Sequence, residues 1–206
     1  MSEAIIVCKL CGKRRAKRAC PAVRGQICTI CCGEQREVIL LCPLDCEFLR
    51  EAHKREKTLI VPVEEISHPK IEITEDFVRS HEELLLFCVY SLVQAALRTP
   101  HAVDVDVLHA LEALLQTRKS AESGLIYEIK AENAVAASIQ HKFAESLKGY
   151  QTERAADSDV FKILVFLHRI GQQNLNGRLK GRMFIGLLQS MTPDTGVDER
   201  APSIIL

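Results

Sequence analysis

From residue 74 onward, apolar and polar positions follow the period of an α-helix. The most apolar stretch, residues 84–97, lies in a predicted helix that begins after Thr74, whose hydroxyl can cap the first turn. That helix ends before Pro100, because proline resists helix continuation. With 14 residues, the apolar stretch is too short to cross a bilayer and is typical of a buried core helix.

Further helices follow in the same pattern. In the next two predicted helices, apolar residues three and four positions apart define one face. Asp104 is the predicted cap of the helix that directly follows Pro100. A later helix beginning at Ser158 is apolar nearly all round from Ile163 to Leu167 and should be central. The predicted spans are 105–121, 125–149, 159–173 and 179–191.

The first 57 residues lack this helical pattern and contain eight of the nine cysteines. Between the two parts, Pro62, Pro69 and several apolar residues favour an extended chain or short strands. The predicted fold is therefore mostly α: a small N-terminal cysteine-rich domain followed by an all-α bundle of about five helices. The predicted domains are a cysteine-rich domain over 1–57, a linker over 58–73, a helical domain over 74–191 and a flexible tail over 192–206.

The composition and the first residues of the chain help to decide whether the cysteines bind metal or form disulfides. A hydrophobic content of 47% with 26% charged residues is that of a globular protein. The opening MSEAIIVCKL has no basic region followed by a long apolar stretch, so we expect a reducing cytoplasmic location. Under those conditions metal binding is favoured over a disulfide framework.

The eight clustered cysteines make two sets of four. Zinc in a structural site takes four tetrahedral ligands, and a two-residue spacing lets both thiolates of a pair face one ion. The pairs Cys8/Cys11 and Cys28/Cys31 have that spacing. A second zinc ion would then take the remaining set, although iron accepts the same ligands. That remaining set is Cys20, Cys32, Cys42 and Cys46.

Residues 8–57 resemble the treble-clef and cross-brace class of two-zinc fingers, such as MYND-like and HIT-type modules. The resemblance rests on a cysteine knuckle, a strand predicted over 36–41, and a helix predicted over 46–57 with Asp45 as its cap and Cys46 in its first turn. It implies structural zinc and a surface for partner recognition. His53 is two turns along that helix and is expected to face solvent, with replacement of one thiol as the alternative.

Net charge is zero overall but not locally, since residues 1–57 carry +5 and the remainder −5. A basic cluster from Lys9 to Arg24 could contact nucleic-acid phosphates. The favoured alternative is that these cations neutralise the thiolates and donate hydrogen bonds to sulfur. Eight thiolates and two zinc ions would bring the finger to about +1. The candidate phosphate contacts are Lys13, Arg14, Arg15, Lys17 and Arg18.

No phosphate-loop, dinucleotide, hydrolase or metalloprotease motif occurs, so the sequence gives no basis for an enzyme. Asp106, His109 and Glu112 could share a helix face and hold a hydrated metal, but an ordinary polar helix face is the favoured interpretation. Cys88 is expected to be a small buried hydrophobe and not a nucleophile. We therefore predict a cytoplasmic, non-enzymatic zinc protein that recognises a protein partner, with no membrane contact and possible homo-oligomerisation. The alternatives are a nucleic-acid-binding regulator and a helical-domain enzyme with an accessory finger.

Overall fold

The computed structural model describes residues 6–58, 62, 67–122, 124, 127–151 and 156–192. These residues divide into two compact units. The cysteine unit contains the described residues up to Lys57 together with Asn176–Arg182, and the helical unit contains the rest. Within the described ranges there are eight α-helices and one two-stranded sheet, so the predicted mostly α fold is confirmed.

The cysteine unit begins with a short antiparallel hairpin. Strands β1 (Arg18–Cys20) and β2 (Gly25–Ile27) pair with Arg18 opposite Ile27, and a single 3-10 turn at Pro21–Val23 joins them. Arg24 takes a left-handed conformation at φ 45° before β2. Two helices follow, α1 (Thr29–Gln35) and α2 (Glu47–His53).

The connection between α1 and α2 differs from the prediction. Residues 36–41 form a turn instead of a strand, because the N–H groups of Val38, Ile39 and Leu40 all donate to the carbonyl of Gln35 at 3.0–3.2 Å. The predicted cap of α2 is also wrong, since Cys46 is its N-cap residue and makes no side-chain cap bond.

The helical unit contains six helices, and most of them match the predicted spans. Thr74 caps the first of them as predicted, since its Oγ1 accepts a hydrogen bond from the Phe77 N–H at 3.1 Å. The six are α3 (Glu75–Ser80), α4 (Glu82–Leu97), α5 (Asp104–Glu122), α6 (Ala134–Gln151), α7 (Asp157–Gln173) and α8 (Met183–Ser190).

The last predicted helix begins at Met183 instead of residue 179. Two other helix boundaries were wrong for local reasons. The first predicted helix breaks at His81, whose ring stacks on Phe77 with centroids 4.2 Å apart and whose backbone leaves the helical region at ψ 29°. The helix predicted from residue 125 begins at Ala134, because the Asn133 side chain accepts the Ala136 N–H at 2.8 Å and caps it there. Residues 125–126 lie outside the described residues.

Only part of the predicted linker and none of the tail beyond Thr192 can be compared with the structure. Residues 59–61, 63–66 and 193–206 lie outside the described ranges. The described part of the linker, 67–73, contains a turn and no strand. Arg169 of α7 holds it by donating to the carbonyl oxygens of Ser67, His68 and Ile71 at 2.6–3.0 Å.

Helix α7 contributes Ile163, Leu164 and Leu167 to the core of the helical unit, all three fully buried. Asp104, the first residue of α5, caps α8: its buried carboxylate accepts the N–H groups of Phe184 and Ile185 at 3.0 Å each. Cys88 is also fully buried, and burial raises the pKa of its thiol to about 12. None of the helices in the described ranges is both long enough and apolar enough to span a membrane.

Gly171 of α7 lets α5 and α8 approach closely, which gives a stability prediction. A Cβ there would lie 2.5 Å from Leu108 Cδ2 and 2.7 Å from Phe184 Cε1. Overpacking of this kind costs about 1–3 kcal/mol and outweighs the helix-propensity gain of up to about 1 kcal/mol. We expect Gly171→Ala to lower the free energy of unfolding of the helical unit, measured by chemical denaturation.

Gly149→Ala is the matched control, because α6 leaves nothing within 4 Å of a Cβ at that position. Its replacement should be neutral or stabilising. Equal destabilisation by both substitutions would contradict the packing explanation.

Candidate metal centre

Two backbone knuckles bring four cysteines together in the cysteine unit. The first closes through a hydrogen bond from the Gly12 N–H to the Cys8 carbonyl at 2.8 Å, and Gly12 supplies the required left-handed φ of 62°. In the second, Cys28 is the N-cap of α1, and its Sγ accepts the Cys31 N–H at 3.4 Å. The hydrogen bond from Lys9 N–H to the Gln26 carbonyl, at 2.9 Å, joins the two knuckles.

The resulting group of Cys8, Cys11, Cys28 and Cys31 fits zinc. Their four sulfurs all lie within 4.8 Å of one another. Tetrahedral zinc with bonds of about 2.3 Å needs sulfurs about 3.8 Å apart, so small side-chain movements suffice to coordinate an ion. Three of the four cysteines are buried and Cys11 is partly exposed. Four thiolates close the coordination sphere, which is typical of a structural site.

The thiols of this group differ in pKa. Burial opposes ionisation of Cys8, but the N–H groups of Cys11, Cys28 and Leu10 outweigh it and lower its pKa to about 6. The Cys31 N–H lowers the pKa of Cys28. The hydrogen bond to Cys28, with burial, raises the pKa of Cys31 to about 12. Four thiolates this close need a cation, and zinc would supply it.

The second predicted set is less tightly gathered. In the described part of the chain, the 4.8 Å grouping is found for the first four cysteines and not for Cys20, Cys32, Cys42 and Cys46. Of these, only Cys46 is not buried. The pKa of Cys42 rises to about 11, mainly through burial, with Cys46, Glu37 and Cys20 adding negative charge nearby. One group of four cysteines therefore fits zinc as it stands, and the sulfurs of the second set would have to move closer together to do so.

Arginines of the predicted basic cluster point at cysteine sulfurs. Arg14 places NH1 3.8 Å from Cys28 Sγ and 4.0 Å from Cys31 Sγ, beside the first group. Arg18 donates to Cys32 Sγ at 3.2 Å, and Arg36, outside the predicted cluster, approaches the same sulfur at 3.9 Å. The other candidate phosphate contacts are exposed, and within the described ranges no hydrogen bond joins them to a sulfur. They are Lys13, Arg15 and Lys17.

A buried carboxylate that the sequence pattern did not predict organises the rest of the cysteine unit. Glu37 is fully buried and has a left-handed backbone, with φ 53°. Its Oε2 accepts hydrogen bonds from His53 Nε2 at 3.0 Å and Asn176 Nδ2 at 2.8 Å, and its Oε1 accepts the Arg182 N–H at 2.7 Å. Burial alone would raise the pKa of Glu37, but these donors, His53 first, hold it below its usual value.

Segment 176–182, which we call the strap, lies in the chain between α7 and α8 but belongs to the cysteine unit. Besides its bonds to the Glu37 carboxylate, it donates from the Lys180 N–H to the Glu37 carbonyl at 2.7 Å and from Arg178 to the Glu56 carboxylate at 2.8 Å. The sequence signal for it was weak: an Asn-Gly turn followed by cations at alternate positions, which favours extended chain over the predicted helix start.

Ligand atoms of Glu37, His53 and Glu56 also lie within 4.8 Å of one another. The Asn176 amide already donates to both carboxylates, at 2.8 and 3.2 Å, and Arg178 neutralises Glu56. These contacts satisfy the cluster without a cation. The expectation that His53 faces solvent is wrong, since its side chain is only 14% exposed.

The polar face of α5 has structural partners. Asp106 accepts hydrogen bonds from the Val103 N–H at 3.1 Å and from Asn133 at 2.9 Å. Glu112 lies 3.7 Å from His168, and His109 lies 3.7 Å from Glu132. Among the described residues, Asp106, His109 and Glu112 do not form a group of metal ligands.

The contacts of Arg14 predict its effect on metal affinity. Replacing it by Gln removes a cation beside Cys28 and Cys31, and loss of such outer partners weakens metal binding by about tenfold or more. We expect Arg14→Gln to bind zinc about tenfold more weakly in a competition titration with a chelator. Lys13→Gln, at the exposed neighbouring position, is the charge-matched control and should bind like the parent protein. Equal weakening by both would indicate diffuse electrostatics instead.

The Glu37 contacts predict that this carboxylate holds the strap. In Glu37→Gln, an amide N–H would face the donors of His53 and Asn176, and losing such a buried bond costs about 1–3 kcal/mol. We expect lower thermal stability of the cysteine unit and faster tryptic cleavage after Arg178, Lys180 and Arg182, monitored by mass spectrometry. Glu34→Gln, an exposed change on α1, should leave both unchanged. Unaltered cleavage in Glu37→Gln would contradict this role.

Comparison with known proteins finds no matching family model, curated protein or solved structure. The resemblance to treble-clef and cross-brace fingers therefore stays a prediction. What the structure itself supports is a cysteine group that could bind a metal, consistent with a zinc finger.

Proposed function

We propose that this chain is a non-enzymatic zinc protein whose cysteine unit recognises a protein partner. The observation that carries the proposal is the grouping of four cysteine sulfurs within 4.8 Å, with no other ligand type among them. Zinc held by four thiolates has no position left for water or substrate, so it stabilises structure and does not act as a Lewis acid.

Apolar side chains exposed beside the metal group support protein recognition. Leu10 lies between the ligands of the first knuckle and is 40% exposed, and Ile30 lies between those of the second and is 47% exposed. Val7, directly before Cys8, is also exposed. Apolar residues held at the surface of a rigid, metal-bound turn are typical of an interface.

The proposal includes a second zinc ion at Cys20, Cys32, Cys42 and Cys46. The guanidinium groups of Arg18 and Arg36 both lie close to the Cys32 sulfur and could neutralise part of the charge of a metal-bound sulfur there. The Glu37 N–H also hydrogen-bonds to the Cys42 sulfur, although burial dominates and raises the pKa of that thiol. Bringing four thiolates together at this position would again need a cation.

Nucleic-acid binding is the alternative. Lys13, Arg15 and Lys17 are exposed, and no hydrogen bond to sulfur in the described part of the chain involves them, which leaves them available to phosphates. Arg14 and Arg18, in contrast, are directed at sulfurs. Retention on DNA or RNA that falls steeply with salt would favour the alternative over protein recognition.

Zinc stoichiometry tests the metal sites one at a time. We expect native mass spectrometry of the reduced, purified chain to show two zinc ions, since each cysteine set holds one. Cys31→Ser and Cys32→Ser should each lose one ion, because these adjacent residues are assigned to different sites. Cys88→Ser is the control and should retain both, since Cys88 is buried in the helical unit.

The zinc count from native mass spectrometry tests the first site, the second site and the choice of metal separately. One zinc ion in the parent chain, lost in Cys31→Ser and kept in Cys32→Ser, would remove the second site and leave the first. A metal-free chain that remains folded through residue 57 would overturn the zinc proposal as a whole. Iron in place of zinc would be identified by the mass of the bound ion.

A further inference from the structure

A cleft of about 330 Å³ lies within the cysteine unit, apart from the Cys8 group. Its walls come from β1, from the turn after α1 and from one face of α2, so three elements that are distant in sequence form it. The lining residues are Arg18, Arg36, Phe48, Glu51, Ala52, Arg55 and Glu56.

Arg36 lines this cleft and is half-buried. Its Nε is buried and has no hydrogen-bond partner among the described residues. Its NH2 makes a long 3.9 Å contact with Cys32 Sγ. A guanidinium has five N–H donors, and leaving a charged donor unpaired away from water is costly. Because Nε itself is buried, a ligand in the cleft would meet the terminal N–H groups of Arg36, which lines it.

Arg18 lies in the same cleft in a fixed orientation. Its guanidinium carbon lies 4.4 Å from the centroid of the Phe48 ring, and its NH1 donates to Cys32 Sγ at 3.2 Å. Stacking on an aromatic face fixes the plane of a guanidinium while leaving its edge free to donate. Phe48 also supplies apolar surface next to the charge.

The acidic residues of the cleft already have cationic partners. Glu51 pairs with Arg55 at 2.5 Å and with Lys54 at 3.8 Å, while Glu56 pairs with Arg178 at 2.8 Å. In the described ranges, Arg18 and Arg36 both contact the Cys32 sulfur and neither forms an ion pair with a carboxylate. The cleft thus retains positive charge on one wall, next to an aromatic ring.

We propose that this cleft binds a carboxylate side chain of an acidic segment in a protein partner. Arg36 and Arg18 would donate to the carboxylate oxygens, and Phe48 and Ala52 would contact the aliphatic stem. Arginine pairs readily with carboxylates through parallel N–H bonds. The lining has three arginines and two glutamates, a net charge of +1, which suits a single carboxylate better than the run of negative charges on a nucleic-acid backbone. This inference rests on the proposed protein-recognition function and names the chemistry of the partner.

Fluorescence anisotropy of the zinc-loaded full chain tests the inference. The probe is a short labelled peptide of alternating glutamate and alanine, with a glutamine–alanine peptide and an oligothymidylate measured in parallel. We expect the glutamate peptide to bind best and Arg36→Gln to weaken it by about tenfold, as for loss of a charge-assisted bond. Arg36→Lys should weaken it less, because it keeps the charge and loses the planar donor pair.

Two variants make the result specific to the cleft. Lys13→Gln removes one positive charge at an exposed site that does not line the cleft, and it should bind the glutamate peptide like the parent chain. Phe48→Leu alters the cleft while keeping every cysteine and every arginine, and it should also weaken binding. If Arg36→Gln loses zinc, Phe48→Leu still tests whether the cleft binds the glutamate peptide.

Several outcomes would overturn the inference. These are equal weakening by Lys13→Gln, equal binding of the glutamine peptide, tighter binding of the oligothymidylate, and no binding of the glutamate peptide. Zinc content is measured in every sample, so loss of the metal is seen separately from loss of peptide binding. A protein partner that binds Arg36→Gln and the parent chain equally would leave the proposed function standing while removing the cleft from it.

Discussion

The grouping of Cys8, Cys11, Cys28 and Cys31 is the constraint on which the cysteine unit depends. The unit has a two-stranded hairpin and two short helices, and its fully buried aliphatic side chains are few, with Ile27 among them. A core of that size supplies little hydrophobic stabilisation. A metal ion binding four thiolates adds folding free energy directly, because the unfolded chain has no preformed site. The local turns hold the sulfurs close, and the ion would hold the turns together.

Glu37 is a second constraint within the same unit. Burying a carboxylate is costly unless it is hydrogen-bonded and paired, and Glu37 accepts bonds from His53, from Asn176 and from the Arg182 N–H. Two of those partners belong to the strap, so the charge is fully stabilised only when the strap is in place. The Glu37 N–H also bonds to the Cys42 sulfur, so the strap and the second cysteine set share one residue.

Periodicity predicted most of the helical unit because its helices bury apolar side chains at helical spacing, as Val160, Ile163, Leu164 and Leu167 of α7 do. It failed where a side chain competes with the helix, at His81 and Asn133. The spacing of the first two cysteine pairs identified the four sulfurs that the structure brings together. No spacing rule could find the strap, because it meets Glu37 across 139 residues of sequence and its bonds are specific to the folded unit.

The basic character of the N-terminal part follows from the same chemistry. A zinc ion with four thiolates carries two negative charges, and a weakly hydrated guanidinium can lie beside sulfur while keeping donors for other groups. Arg14, Arg18 and Arg36 approach sulfurs at 3.2–4.0 Å, so part of the +5 charge belongs to the cysteine sites. Arg18 and Arg36 also line the cleft, where N–H groups not directed at Cys32 are left to meet a ligand. Cations that stabilise thiolates on one edge can therefore recognise an anion on the other.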